Sequence, residues 1–521
     1  MGDIPKKLIE DNVKFLPDKI AFVYGDRRYT FKQYGERTNR LRSALNEMGI
    51  EKGDRIAIIG NNSNQLFEVL AAAISSGTIF VPLNVNYKGN ELLYLLNDSG
   101  AKVLFLEREY YEVISSIRLQ AKTVKHLICL DNDCPGTSNY EILLTRNYPS
   151  PPAIDIEEND PACIIYTSGT TGFPKGVVHT HKSLLCHMRK LNKILQVRPE
   201  QVMLNVMPPF HYGGTFGFIV ACHLAGCTSV LLEKFRTAET LETIEREGIN
   251  GLIMVPSMII FMLDALKSKK YDLSSLETVF YVGSPMPVER LKEAVEVFPK
   301  GVFIQFYALT EGSGVAALTR EEHKLETERD RNILGSCGKV RFYPRENIRL
   351  VDDEGRQVPV GQPGEITLRG ELVMKEYWNK PEETSETIID GWLHTGDIGK
   401  FDDEDYLYII DRRKDMIIRG GENIYPREIE EVLYQHPAIL EACVIGIPDE
   451  KRGEEVKAVI VLQNGAKASE ADLITYCEER LARHKVPKSI DFIKELPKNP
   501  TGKILKRELR DRYWKGINRK I

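Results

Sequence analysis

The 521 residues contain no C-x-x-C pair, and their nine cysteines are an odd number whose nearest neighbours are Cys129/Cys134 and Cys222/Cys227. That excludes a disulfide framework and favours reduced thiols in a cytoplasmic compartment. One Cys/His grouping, His179, His181, Cys186 and His187, lacks zinc-site spacing and reads as structural. An excess of one charge is also missing: 70 basic and 75 acidic residues leave a net of −5, too little to draw the chain to nucleic acid or an anionic membrane. No apolar run reaches the ~20 residues that a bilayer demands. The most apolar stretch, 217–232, contains His223 and reads as a buried core segment. At the amino terminus there is neither the apolar run of a secretion signal nor, with Lys6 where Ser or Thr is required, a myristoylation signal. Repeats, low-complexity tracts and long disordered linkers are absent as well.

What is present is ordinary globular material, 42% hydrophobic and 28% charged. At ~150 residues per domain the length allows two to four domains, or a composite body with an appendage. Residues 34–48 carry Tyr34, Leu41, Leu45 and Met48 at helical spacing; residues 55–59 then read as a buried strand, 65–76 as a helix and 79–81 as a strand. Strands near 201–207, 228–232, 251–255 and 278–282 continue the rhythm, separated by lengths that suit crossover helices. From about residue 347 the texture turns to short β segments broken by 353–355 and 360–364, a β-rich subdomain. A small α+β unit follows. It holds 23 basic and 19 acidic residues from 411 onward, a basic cap on an acidic body or simply two solvated surfaces. The fold class is α/β: a large N-terminal body of α/β sheet subdomains plus the β-rich subdomain, with a small C-terminal α+β domain.

The strongest chemical signal runs through Tyr166, Thr167, Ser168, Gly169, Thr170, Thr171, Gly172, Phe173, Pro174, Lys175 and Gly176, between an apolar strand and the β-like Val177, Val178 and His179. Glycines let backbone amides converge on an anion, the hydroxyls add donors and Lys175 adds a point charge, which together suit a polyphosphate. It is not a Walker loop, which wants G-x4-G-K-[ST] opening a helix. A plain hairpin loop is the alternative for the hydroxyl-glycine run alone. Further along, Gly283, Ser284 and Pro285 make a tight turn at a strand's carboxyl end, where open α/β sheets bind ligands. Tyr307, Ala308, Leu309, Thr310 and Glu311 combine an aromatic face, a hydroxyl and a hard oxygen ligand. Asp397 stands behind a glycine turn with two oxygens to offer vicinal hydroxyls.

The loop at 166–176 resembles the signature of the adenylate-forming superfamily, which includes acyl-CoA synthetases, luciferases and peptide-synthetase adenylation domains. Further motifs recur in the family's order from about residue 160 to 503. The resemblance implies an AMP-binding domain over 1–411 and a mobile C-terminal domain over 412–521, hinged near Lys414. It assigns Thr167, Ser168, Gly169, Thr170, Thr171, Gly172, Gly283, Ser284, Pro285, Tyr307, Asp397 and Arg412 to ATP and AMP. It makes Lys503, Glu311, Thr310 and Lys175 catalytic, with Mg²⁺ on Glu311 and Thr170. Gly420 and Gly421 would pass the pantetheine arm of CoA, and the spacing of Lys488 to Lys503 makes it a candidate for the CoA phosphates.

The implied activity is an AMP-forming carboxylate–CoA ligase: the acid attacks the α-phosphorus of Mg-ATP, pyrophosphate leaves, and the CoA thiol takes the acyl group. His211 and Tyr212 stand where amino-acid-activating relatives put an aspartate, and no carboxylate is offered there, so an α-amino acid is disfavoured; no carrier-protein domain is expected after residue 521. Glycines 213, 214, 217, 312 and 314 suggest room for a bulky apolar tail, with His211, Gly213, Gly214, Ala308 and Gly314 as the acyl pocket. Ala308, where the family has glycine, should narrow it. The expected substrates are a medium-chain, alicyclic or aromatic carboxylic acid, ATP and CoA. The alternatives are an acyl-adenylate ligase loading a carrier protein, or a long-chain fatty acid–CoA ligase. The expectation includes a cytoplasmic protein without an integral membrane segment, running in either direction, and allows a homodimer.

Overall fold

The computed structural model of the chain describes residues 6–131, 133–151, 153–167, 173–284, 286–498 and 504–514. Among these the strands form four sheets. The first has nine strands in the order Lys339–Val340, Ser313–Leu318, Phe303–Leu309, Thr278–Tyr281, Gly251–Met254, Val202–Asn205, Thr228–Leu231, Ile20–Tyr24 and Arg27–Thr30. Its middle strands are parallel, and antiparallel partners close both edges. Gly251–Met254 and Thr278–Tyr281 are buried along their whole length, so they show apolar runs rather than alternation, as strands covered on both faces do.

The second sheet has eight strands. Its edge strand Glu376–Tyr377 is followed inward by Lys175–Thr180, Pro161–Thr167, Ile79–Pro82 and Arg55–Ile59. Pro161–Thr167 and Lys175–Thr180 are antiparallel, with Thr167 opposite Lys175, and Pro161–Thr167 runs parallel to Ile79–Pro82. Helices start where the chemistry of their ends allows. Thr30 and Gln33 form a capping box at Phe31–Glu47, Thr180 and Ser183 another at His181–Leu195, and Pro426 opens Pro426–Tyr434.

The third sheet is the β-rich subdomain: Ile348–Val351, Gly364–Leu368, Trp392–Phe401, Ile388–Ile389 and Leu407–Arg412, all antiparallel. Asp397 sits inside the ten-residue strand Trp392–Phe401 and not behind a turn. Gly396 takes φ +72° there and the pairing with Gly364–Leu368 skips from His394 to Ile398, so the glycine bends a continuous strand. The fourth sheet, Glu422–Ile424, Ile417–Arg419, Gly453–Leu462, Ile439–Asp449 and Ser489–Phe492, belongs to the C-terminal unit. That unit has its own core, in which Ile429, Leu433, Val444, Ile460 and Leu473 are fully buried, as expected of a separately packed domain. Arg412 still belongs to the body's sheet, and the short 3-10 turn Arg413–Asp415 makes the passage to the C-terminal unit. The stretch 217–232 is buried as a helix, Ile219–Leu224, and a strand.

Candidate active site

A cavity of ≈ 530 Å³ opens where the body's strand ends meet the C-terminal unit. Gly283 and Ser284 line it from the loop after Thr278–Tyr281, and Tyr307 and Ala308 from the end of Phe303–Leu309. Gly283 adopts φ +97°, which favours a residue without Cβ. Asp397 is buried on one wall. The Tyr307 hydroxyl donates to its Oδ2 at 2.7 Å, and Arg412 Nε lies 3.1 Å from its Oδ1. The Asp397 backbone N–H donates to Thr395 Oγ1 at 3.1 Å. Asp397 holds the Arg412 guanidinium above its ordinary pKa, so this is a fixed ion pair. Each carboxylate oxygen has capacity for one more donor, which suits two neighbouring hydroxyls.

Lys175 and Glu311 belong to different sheets, and Tyr377 brings them together. The Lys175 ammonium lies 4.9 Å from the centre of the Tyr377 ring, whose hydroxyl donates to Glu311 Oε1 at 3.0 Å. Tyr377 is placed by pairing with Val177, two residues beyond Lys175. Sequence reasoning missed it: a lone tyrosine in a two-residue strand carries no pattern. Thr310 is held through its carbonyl, which accepts from His179 Nε2 at 2.7 Å. A carbonyl only accepts, so Nε2 carries the proton. Burial pushes His179 down to about 4, leaving Nδ1 to accept from Ser183 Oγ at 3.2 Å. Thr167 Oγ1 donates to the Lys175 carbonyl at 3.5 Å and closes the base of the loop. Ser168, Gly169, Thr170, Thr171 and Gly172, with Pro285 and Lys503, lie outside the described residues. At the far end of the loop Phe173 stacks on Tyr94 at 4.5 Å.

The Cys/His grouping resolves into separate packing roles. His179 and His187 both pack on Tyr212, while His181 begins a helix and is buried, held down to about 4 by burial. His211 is likewise held down to about 4 and packs on Phe210 at 4.5 Å.

The expected acyl pocket changes in composition. A Cβ on Gly213 would touch only Ile253, at 3.8 Å, so this glycine does leave room. One on Gly214 would collide with the Pro208 carbonyl, and one on Gly314 would lie 2.7 Å from the Phe342 ring. Space beside Gly314 is thus filled by the chain's own aromatic ring, and Gly312 is similarly crowded by Leu368 at 2.8 Å. Ala308 lines the nucleotide-sized cavity beside Tyr307.

From the C-terminal unit, Lys498 and Ile504 line the same cavity. They pair across an antiparallel bridge and flank the positions 499–503. Lys506 pairs with Glu430 at 2.8 Å, and Arg510 reaches the hinge, bonding the Lys414 carbonyl at 3.2 Å. Gly420 and Gly421 form the exposed turn between Ile417–Arg419 and Glu422–Ile424. Their φ values of +61° and +88°, with nothing within 4 Å of either Cβ, show that backbone conformation demands glycine there, as in two-residue hairpins. Lys488 is exposed and pairs with Asp449 at 3.3 Å. No helix among the described residues is long and apolar enough to cross a membrane.

Two family models match: the AMP-binding enzyme model over residues 9–378 and the AMP-binding enzyme C-terminal domain over 428–503. The fatty acid–[acyl-carrier-protein] ligase ScoC of Streptomyces coeruleorubidus is 36% identical over 97% of this chain and 95% of its own length. The long-chain-fatty-acid–CoA ligase FadD13 of Mycobacterium tuberculosis is 36% identical over 94% of both chains. Among solved structures, the anthranilate CoA ligase AuaEII in complex with anthranoyl-AMP superposes with a TM-score of 0.89 at 28% identity, over 98% of this chain and 97% of that one. With both models in sequence order, and an aspartate, an arginine and a tyrosine converging on the cavity between the matched regions, the chain belongs to the AMP-binding enzyme family, the adenylate-forming enzymes whose signature loop it carries.

Proposed function

We propose that this chain is an ATP-dependent, AMP-forming acyl-CoA synthetase. One observation carries the reading: Tyr307, Asp397 and Arg412 share a cavity with Lys498 and Ile504, the two residues that flank the segment ending in Lys503. A thiol cannot displace oxide directly from a carboxylate, because oxide is a poor leaving group; joining the carboxylate to AMP makes AMP the group that leaves when the thiol attacks the acyl carbon. In the proposed first half-reaction Asp397 accepts from the ribose hydroxyls, Tyr307 presents its face to the purine, and Lys175 and Lys503 stabilise charge on the phosphates as pyrophosphate leaves. In the second, CoA enters past the Gly420–Gly421 turn after the C-terminal unit pivots about Lys414. In this structure that turn is exposed while Lys498 and Ile504 face the cavity, which supports assigning the captured pose to the adenylation half.

Mg²⁺ fits the donor set. Glu311 offers a hard carboxylate oxygen, linked through Tyr377 to Lys175, and Mg²⁺ ordinarily binds one or two carboxylates plus substrate phosphates while keeping several waters. When bound it would neutralise phosphate charge, with Glu311 as its protein ligand and Thr170 as a second.

The acid we favour is medium-chain, alicyclic or aromatic, held near His211, Gly213 and Ala308. Relatives named for anthranilate and indoleacetate support the aromatic end of that range. A second reading, transfer to a carrier protein, is favoured by the relative named as an acyl-carrier-protein ligase. Cytoplasmic residence and a homodimer belong to the same proposal; the odd number of cysteines and the lack of a C-x-x-C pair support the first, and sedimentation tests the second. The deciding experiment measures pyrophosphate exchange into ATP across a panel of acids, then AMP release with CoA or with an acyl carrier protein. Exchange followed by CoA-dependent AMP release is the expected result; release only with the carrier protein selects the second reading.

A further inference from the structure

The turn that carries Thr310 and Glu311 is held by a donor on every carbonyl. Thr310 O accepts from His179 Nε2, Glu311 O from the Met374 N–H and Gly312 O from the Tyr343 hydroxyl, each at 2.7 Å. The turn closes with Gly312 N–H on Leu309 O at 3.3 Å, and Ser313 follows at φ +55°, a left-handed conformation unusual for a residue with a Cβ. Such a conformation persists only where its surroundings over-determine it. Two of the three carbonyl donors are side chains, and His179 is the one on the strand that leaves the phosphate loop, four residues beyond Lys175. It is fully buried, and Ser183 on its other nitrogen and the Tyr212 ring at 4.9 Å fix its orientation.

We propose that His179 is a positioning residue that ties the loop strand bearing Lys175 to the turn bearing Thr310 and Glu311, holding the two halves of the triphosphate and metal site in register across separate sheets. The proposal rests on the adenylating function proposed above. A single 2.7 Å bond joins the strand to the turn at Thr310, and Tyr377 joins them again at Glu311, so losing His179 frees the Thr310 end while leaving the Glu311 end anchored. The consequence falls on the half-reaction that uses the triphosphate.

The test compares His179→Leu, which removes the donor, with His179→Gln, whose amide presents an N–H at similar reach. His179→Leu is expected to lower kcat for pyrophosphate exchange by about 10- to 100-fold, the range that small misplacements of catalytic groups produce. Thioester formation from supplied acyl-adenylate should change less than about twofold, since the acyl-adenylate carries only the α-phosphate. The thermal shift given by ATP with Mg²⁺ should shrink towards that given by AMP, while the shift given by AMP is retained. His179→Gln should restore most of both readouts. The proposal is overturned if exchange and the Mg²⁺-dependent shift stay at wild-type values in His179→Leu, or if both half-reactions fall in the same proportion. Should His179→Leu not fold, His179→Asn, whose shorter amide can still meet Ser183 but stops short of the Thr310 carbonyl, must show the same selective loss; wild-type exchange and shift there overturn the proposal equally. Absence of exchange by the wild-type protein with every acid counts against the adenylating function, whereas the thermal-shift comparison judges His179 whichever acid is used.

Discussion

Adding one methyl group at Gly314 separates an open substrate pocket from a filled one. A Cβ there would sit 2.7, 2.7 and 2.8 Å from three atoms of the Phe342 ring, short of the 3.4 Å at which ordinary contact begins by 0.6–0.7 Å. The ring has nowhere to go: Phe342 is fully buried, stacked on His187 at 5.7 Å and edge-on to Phe306 at 4.9 Å. Overpacking of this kind costs about 1–3 kcal/mol. Alanine in place of glycine returns up to about 1 kcal/mol by restricting the unfolded chain. Gly314→Ala should therefore destabilise the body by a net of roughly 1–2 kcal/mol. Urea unfolding of the wild type, Gly314→Ala, Phe342→Leu and the double variant provides the assay. Phe342→Leu opens the space, so the alanine penalty should disappear in its presence, a coupling of about 1 kcal/mol between neighbours. If Gly314→Ala unfolds at the wild-type midpoint in both backgrounds and raises only the KM for the acid, the space is open to substrate and the packing account is wrong.

Acid should unfold this protein through its histidines. Burial holds His179, His181, His211 and His323 down to about 4, and His187 and His223 to about 3. The unfolded chain protonates them near 6.5, so between pH ~6.5 and ~4 it binds more protons than the folded chain. Their contribution is intact above that window and is lost as pH falls through it, at up to ~1.4 kcal/mol per pH unit for each histidine. Urea midpoints at pH 7.5, 6.5, 5.5 and 4.5 check this; a flat profile refutes it. Lys506→Met should destabilise the C-terminal unit by about 3 kcal/mol, because it strands Glu430, only 15% exposed, without its 2.8 Å partner. Adding Glu430→Leu should recover most of the loss in thermal denaturation. Lys503→Ala is expected to abolish pyrophosphate exchange while largely sparing thioester formation from acyl-adenylate, and equal loss in both half-reactions contradicts its assigned role.

Much of the scaffold was legible because it follows from local rules. The strands at 251–255 and 278–282 announced themselves as apolar runs of strand length and appear as Gly251–Met254 and Thr278–Tyr281. The helix at 65–76 appears as Asn64–Ser76, ended by Gly77 at φ +64°. The loop at 166–176 was legible as a family signature because its glycines, hydroxyls and lysine are contiguous in sequence. Asp397 was misplaced behind a turn because a glycine inside a strand and one in a turn look alike until pairing shows which side the chain continues on.

Composition and motif order alone determined that this chain has an α/β body with a small α+β appendage and carries the signature of adenylate-forming enzymes; both depend on residues close in sequence, where periodicity and turn chemistry act directly. Only the tertiary structure decided which glycines leave space and which make way for a neighbour. Gly314 and Phe342 meet through packing between separate elements, which no local pattern encodes. Tertiary structure likewise decided that Tyr377 bridges Lys175 and Glu311, and that His179 holds the Thr310 carbonyl. Those contacts join residues from about 66 to about 200 positions apart, and side chains that distant become neighbours only when the sheets carrying them are assembled.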